Sequence, residues 1–374
     1  MQNQRRKFLA VACASALGGC STSKSDPLSE RQEELNASAV SHSPSDVGVS
    51  LAGPEFGVES VEFSNSNPGT AGQDYTFAIP KTVRYFTENQ ISLFRIPIRW
   101  ERIQPTLGGE LDGAYLNKLK KLVGIISGLR GHSIIDLHNY GRYVMRINSL
   151  NQTLVINKTS RLRTSHLENL WNRLAQEFKN EESVDGFCIM NEPYSMGPGN
   201  WRRISNDVVD CIRETDQKKK IYVCGDEWSS AERFDKINGK PWIRQSKNVI
   251  YESHAYFDSD RSGKYKKSFE QEAAADRQIK NRFNTVLQPF IDWCRSNRAQ
   301  GFVGEIGVPG STNGWLEQLN RGLGLLAKNN MPFCYWAAGE WWKNYPLSIQ
   351  PRADNQPQPQ FEILQKYIGT TKRS

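Results

Sequence analysis

Eight short apolar or β-branched runs, each followed by room for a loop, a helix and a second loop, constrain this chain more than any other feature. They centre on Leu51, Phe94, Ile135, Cys188, Tyr222, Tyr251, Val303 and Cys334. Amphipathic stretches lie between them. The clearest places Leu167, Leu170, Trp171, Leu174, Ala175 and Phe178 on one helical face; another places Leu116, Leu119, Leu122, Val123 and Ile126 together before a stop near Gly131. A last helix is predicted over Phe361 to Ile368, after the turn at Pro357 and Pro359. Eight strand–helix units are the number that closes a parallel barrel. A doubly wound sheet also alternates strand and helix, but it requires no such count, and no Gly-x-Gly-x-x-Gly turn is present. The expected fold is therefore α/β, a single-domain (β/α)8 TIM barrel over residues 48–374.

What precedes the barrel reads as an export signal and a tether. Residues 1–19 carry a charged head, Arg5-Arg6-Lys7, a short apolar run from Ala10 to Leu17, and small residues before Cys20. The run is too short to anchor a membrane span. The arginine pair resembles a twin-arginine signal, although Gln4 replaces the usual Ser or Thr. Leu17-Gly-Gly-Cys20 resembles a bacterial lipobox, which predicts lipidation of Cys20 and a membrane contact through that lipid alone. Residues 20–47, rich in Ser and polar groups, read as a flexible tether. The expected location is the bacterial cell envelope or the medium outside it, with a monomer as the default state.

Composition excludes several functions. The net charge is +8, but Arg5, Arg6 and Lys7 supply three of those charges. No block of Lys or Arg interleaves with aromatics, so nucleic acid is not an expected partner. Beyond Cys13 and Cys20, five cysteines remain, an odd number without C-x-x-C spacing. That argues against zinc and against a disulfide framework. No zinc-protease helix, phosphate-binding loop or nucleophile elbow is present. Neither a metal nor a cofactor is expected.

In a barrel of this kind, chemistry sits where strands end and the following loops begin. Those ends carry Arg95, His138-Asn139, Asn191-Glu192, His254 with Tyr256, Glu305, and Trp336. A single strand-end glutamate is more often a solvated rim charge. Six polar or aromatic strand ends converging on one mouth are a different matter. Two glutamates facing across that mouth suit glycoside hydrolysis, in which one carboxyl donates a proton and the other stays ionised. Aromatics on the same loops, Trp100, Tyr140, Tyr143, Trp228, Trp341 and Trp342, offer flat faces for successive sugars. Trp228 and Trp341 are the best placed of these, directly after strand ends.

The chain resembles glycoside hydrolase family 5, and within it the bacterial endo-β-1,4-glucanases. The resemblance rests on Leu51-Ala-Gly-Pro-Glu-Phe-Gly57, Arg95-Ile-Pro-Ile-Arg-Trp100, Asp136-Leu-His-Asn-Tyr140, Met190-Asn-Glu-Pro193, Glu252-Ser-His-Ala-Tyr256, Gly304-Glu-Ile-Gly307 and Tyr335-Trp336, in the family's order. It implies Glu192 as acid/base and Glu305 as nucleophile of a retaining mechanism. It further implies that Asn191 binds the sugar 2-hydroxyl and that Arg95 and Tyr256 surround Glu305. His254 would tune Glu192, His138 would bind a sugar hydroxyl, and Trp336 would lie under the ring. The expected partner is a β-linked polysaccharide, β-1,4-glucan first.

Some positions depart from the family. Ser50 stands where Asn is usual, and Phe234 replaces a second tryptophan after the fifth strand. The third loop is basic, with Arg146, Lys158, Arg161 and Arg163. An acidic exopolysaccharide or a mannan is accordingly an alternative substrate. A non-catalytic carbohydrate-binding barrel is an alternative of another class, but both glutamates and their neighbours are intact.

Overall fold

The computed structural model describes residues 47–369. The predicted signal peptide, the predicted lipidation site Cys20 and the predicted tether up to residue 46 lie outside those residues. In chain order the elements are β1 (Val47–Leu51), α1 (Pro80–Glu88), β2 (Leu93–Ile98), α2 (Trp100–Ile103), α3 (Gly113–Gly128) and β3 (His132–Leu137). Next come β4 (Arg142–Ile147), β5 (Leu150–Val155), α4 (Thr164–Phe178), β6 (Val184–Cys188), α5 (Asn200–Thr215), β7 (Lys220–Cys224), α6 (Phe234–Asn238) and β8 (Val249–Ala255). The series ends with α7 (Phe269–Ala275), α8 (Arg282–Asn297), β9 (Gly301–Ile306), α9 (Asn313–Lys328), β10 (Phe333–Ala338) and α10 (Pro359–Gln365).

Eight parallel strands close in the order β1-β10-β9-β8-β7-β6-β3-β2. Each of the eight predicted runs supplies one of them, so the chain forms the (β/α)8 barrel. Val47 already belongs to β1, one residue before the predicted start of the barrel. The strands are buried on both faces because helices cover the outside and side chains fill the inside. On α4, the stripe Leu167, Leu170, Trp171, Leu174, Ala175 and Phe178 is buried, and on α3 so is Leu116, Leu119, Leu122, Val123 and Ile126. At roughly 1.5–3 kcal/mol per buried large apolar side chain, these stripes hold the helices to the sheet. Asp112 starts α3 by accepting the Tyr115 backbone N–H at 2.8 Å, a cap worth about 1 kcal/mol. Among the described residues no helix is long and apolar enough to cross a membrane.

One insertion differs from expectation. The basic third loop begins as an antiparallel hairpin, β4 paired with β5 from Arg142↔Val155 to Ile147↔Leu150. Its two-residue turn, Asn148-Ser149, has φ of 47° and 63°, the doubly left-handed geometry that matches strand twist. The hairpin buries Tyr143 and Leu154. Tyr143 meets Trp100 edge-on at 5.3 Å and donates its hydroxyl to the Pro105 carbonyl. Trp100 and Tyr143, expected as cleft aromatics, are therefore core residues, both fully buried.

Candidate active site

Period-two alternation along the strands sorts the barrel interior into layers. Leu93, Ile134, Tyr222, Ile250, Phe302 and Cys334 form an apolar layer. Two residues further along their strands come Arg95, Asp136 and Glu252, each fully buried. His138, His254 and Trp336 follow at the mouth. Strand β9 breaks the alternation: Ser253 pairs Val303 but His254 pairs Glu305, so Gly304 is an extra residue. A bulge of this kind re-aims the next side chain, here turning Glu305 inward. A Cβ on residue 304 would lie 1.9 Å from Glu252 Oε1, so the bulge requires glycine.

Arg95 ties the buried layer to the mouth. Its Nη1 lies 3.0 Å from Asp136 Oδ2 and 3.1 Å from Glu305 Oε1, and its Nη2 lies 3.1 Å from Glu252 Oε1. Nη2 also donates to Asn191 Oδ1 at 2.8 Å. Asp136 Oδ2 meets His138 Nδ1 at 2.7 Å, fixing that nitrogen as a donor. His138 Nε2 then accepts from the Asn191 amide at 3.3 Å. Burial opposes the Arg95 charge, but Asp136, Glu252 and Glu305 outweigh it and keep the guanidinium firmly protonated.

The two glutamates occupy unlike surroundings. Glu305 accepts from Arg95 through Oε1 and from the Tyr256 hydroxyl through Oε2, the latter at 2.7 Å. Burial works against its charge, but His254 and then Arg95 outweigh it and hold the carboxyl below its ordinary range. Glu192 has no arginine. Burial raises its carboxyl pKa and the Glu305 charge adds to that, while its hydrogen bond to His254 only partly offsets the rise. Its backbone adopts φ 43°, a left-handed position uncommon for a side chain of this size. His254 stands between them, Nδ1 at 2.6 Å from Glu192 Oε1 and 3.4 Å from Glu305 Oε2, Nε2 at 3.2 Å from Glu252 Oε1. Both ring nitrogens face carboxylates, so the ring is held as imidazolium, well above its ordinary range despite burial. Carboxylate oxygens of Glu192 and Glu305 approach within 4.8 Å.

Aromatic rings flank this centre. Trp336 stacks on His138 at 5.2 Å and 13°. Trp228, 42% exposed, stacks one face on Tyr194 at 4.5 Å, and Arg142 caps the other side of Tyr194. Trp341 does not join them: it is half-buried in the turn after β10, and its neighbour Trp342 meets Phe56, Trp336 and Tyr345 instead.

The profile described as Cellulase (glycosyl hydrolase family 5) matches residues 49–341. The chain belongs to glycosyl hydrolase family 5. Like other members, it is a glycoside hydrolase. It is 29% identical over 314 residues to endo-beta-1,4-glucanase B of Aspergillus niger, spanning 82% of this chain and 87% of that one. Among solved structures, Pseudomonas stutzeri endoglucanase Cel5A is 31% identical with a TM-score of 0.77, over 88% of this chain and 95% of that one. An endo-beta-1,4-glucanase from Xanthomonas axonopodis pv. citri is 29% identical with a TM-score of 0.72, over 86% and 97%.

Three buried carboxylates around this centre carried no role in the sequence reading. Asp136 and Glu252 lie inside strands rather than at their ends, and Glu55 lies in the loop after β1. Glu55 is buried, accepts the Gly53 N–H at 2.7 Å, and is pushed up to about 7 by that burial. The alternation with Leu93-Arg95 and Ile134-Asp136 was the available signal for the first two. Among the described residues two clusters hold metal-ligating atoms close together, Glu192-His254-Glu305 and Cys188-Cys224-Glu252. In the second, Arg95 lies 3.1 Å from Glu252 and 3.9 Å from Cys188, a fixed cation where another cation would have to sit.

Proposed function

We propose that this family 5 hydrolase is an exported endo-β-1,4-glucanase that cleaves β-glucan with retention of configuration. The observation that carries the proposal is the pair of glutamates within 4.8 Å, one pushed up and one pulled down by its surroundings. Carboxyls roughly 5–5.5 Å apart leave no room for a water between nucleophile and sugar, which is the retaining geometry. Glu305, ionised, attacks the anomeric carbon. Glu192 gives its proton to the glycosidic oxygen as that bond breaks, and the leaving chain departs as an alcohol. Formation of the ester neutralises Glu305, so Glu192, now ionised, loses the neighbour that raised its proton affinity. It then takes a proton from water, which attacks the same carbon and releases Glu305.

Asn191, held by Arg95 and His138, meets the sugar 2-hydroxyl. His138 binds a further hydroxyl, and Trp336 lies under the ring whose bond is cut. Trp228 provides a platform for the leaving chain. Names of relatives from Aspergillus and Pseudomonas support the β-1,4-glucan substrate. A polymeric substrate also requires an enzyme outside the cytoplasm, which agrees with the export signal and with a lipid anchor at Cys20.

The test is reducing-end release from carboxymethylcellulose and mixed-linkage β-glucan, with NMR of the first anomer formed. The expected result is β-anomer, with activity lost about 10³-fold or more in Glu305→Gln. Glu192→Gln should lose polymer cleavage but keep much of the first, aryl-releasing step on aryl glycosides, whose leaving groups need no proton, and then turn over slowly because the ester lacks its general base. An α-anomer first product would overturn the mechanism, and silence on both polymers would overturn the substrate.

A further inference from the structure

The cleft on the Glu192 side of the mouth encloses about 490 Å³, with Glu192, His254 and Tyr256 at its inner end and Trp228 on one wall. His138 and Trp336 do not line it. On the proposed mechanism Glu192 protonates the leaving oxygen, so the space beside Glu192 and away from Trp336 receives the reducing-end portion of the chain. Its remaining wall comes from the loops after β7 and β8 and bears Arg233, Arg261 and Lys264 alongside Asp260.

These charges are not all neutralised. Arg261 is held by both oxygens of Glu232, at 2.9 and 3.1 Å. Lys266, from outside the cleft, lies 3.7 Å from Asp260. Arg233 and Lys264 are exposed, and neither has a carboxylate within ion-pair distance among the described residues. A neutral glucan offers two unpaired cations hydroxyl oxygens but no counter-charge. A concave site with an excess of one sign of charge focuses its field on whatever enters, and here Arg261 and Asp260 have ion-pair partners while Arg233 and Lys264 have none among the described residues. The basic residues that sequence alone singled out, Arg146, Lys158, Arg161 and Arg163, belong to the hairpin and the segment after it and do not line this cleft.

Building on the endoglucanase reading, we infer that the leaving-group half of the cleft selects a uronic acid: the preferred substrate is a β-glucan chain bearing a carboxylate sugar, bound against Arg233 and Lys264. A C6 carboxylate replaces a hydroxymethyl group without lengthening the unit, so charge is added where the chain already fits. The leaving portion always contains the reducing end, so a reducing-end glucuronic acid always falls in this half.

The test compares kcat/KM for cellotetraose with that for the same tetramer ending in glucuronic acid, in the intact enzyme at low ionic strength. Exposed ion pairs are individually weak, so two together should favour the acidic tetramer by roughly fivefold. The ratio should fall to about one in Arg233→Gln/Lys264→Gln, drop below one in Lys264→Glu, and approach one for the parent in high salt. Because both substrates are assayed in one preparation, the ratio does not depend on the fraction folded. A parent ratio of one or less overturns the inference while leaving the endoglucanase standing, as does a preference that survives the double substitution. Cleavage of neither tetramer overturns the endoglucanase reading and this inference with it.

Discussion

Replacing Tyr256 by Phe removes one hydroxyl and almost no volume, and it tests how Glu305 is kept ionised. The hydroxyl donates to Glu305 Oε2 at 2.7 Å, and Tyr256 is 8% exposed, so water cannot readily replace it. Burial first, and then the Glu305 charge, keep the phenol protonated well above its ordinary range; it is a donor at every working pH. A hydrogen bond to a charged group contributes about 1.5–3 kcal/mol. The low end applies here, because Arg95 still holds Oε1 and His254 Nδ1 remains 3.4 Å from Oε2. At about 1.4 kcal/mol per pH unit, the acid limb of kcat/KM should move up by roughly one pH unit in Tyr256→Phe. The sign follows from Glu305: losing a donor to the carboxylate raises its pKa toward the ordinary value. Stability should follow the same linkage. A carboxyl depressed in the folded state stabilises above its unfolded pKa, and that contribution is lost as pH falls through the folded one. The variant should therefore unfold about 1 kcal/mol more easily at pH 7 and converge with the parent in strong acid. The assays are a pH series of initial rates on soluble β-glucan and urea unfolding at both pH extremes. An acid limb that stays in place, or moves down, would falsify this account of Glu305.

Glu55→Gln should reverse the usual expectation for an active-site loop. With a folded pKa of about 7 against an ordinary 4.5, ionised Glu55 costs stability that grows as pH rises between those values, reaching about 3 kcal/mol. The variant should gain on the parent across that window in urea midpoints, and a pH-independent difference would refute the assignment. Gly304→Ala drives a Cβ to 1.9 Å from Glu252 Oε1, which Arg95 and His254 pin in place. A loss of about 1–3 kcal/mol in unfolding free energy is expected, with activity falling further than stability accounts for; an unaffected enzyme would mean the bulge relaxes freely. Trp228→Ala removes a sugar platform worth about 1 kcal/mol, so KM on cello-oligosaccharides should rise about fivefold with kcat changing less. A kcat loss with KM intact would place Trp228 outside the leaving-group cleft.

The barrel was legible because each parallel strand is buried on both faces, and such strands read as short unbroken apolar runs in any sequence. Ile134-Ile135, Phe187-Cys188 and Phe302-Val303 are of this kind. The hairpin was not legible for the opposite reason. Across Arg142–Val155 only Tyr143 and Leu154 are buried, so no apolar run marks the strands and the charges made the segment look like a loop; only the Asn148-Ser149 turn hinted otherwise. Trp100 and Tyr143 were misplaced because an aromatic near a strand end can face either the cleft or the core. The hairpin, unseen in the sequence, is what covers them. Asp136 and Glu252 were passed over because attention went to strand ends, whereas they lie one alternation deeper. Their cost as buried carboxylates is offset chiefly by Arg95 and the two histidines, partners that strand register brings together.

That register also explains why two glutamates so close behave differently. Arg95 sits two residues above the apolar floor, where its fork reaches Asp136, Glu252 and Glu305 but not Glu192. One guanidinium against three carboxylates leaves the throat negative, and a second cation is needed there. His254 provides it, with each nitrogen turned to a carboxylate. Glu252 thus acts at a distance on the mouth: its charge helps to hold the His254 proton, and the protonated ring is the leading influence that keeps Glu305 ionised. Glu192 contacts the same ring but lacks the arginine and the phenol, so burial prevails and its proton stays until a leaving oxygen takes it. On the proposed mechanism the cycle then needs no moving part. Esterification removes the charge on Glu305, the resulting fall in proton affinity leaves Glu192 ionised and able to take the proton of the attacking water, and release of ionised Glu305 restores the original imbalance with Glu192 protonated again.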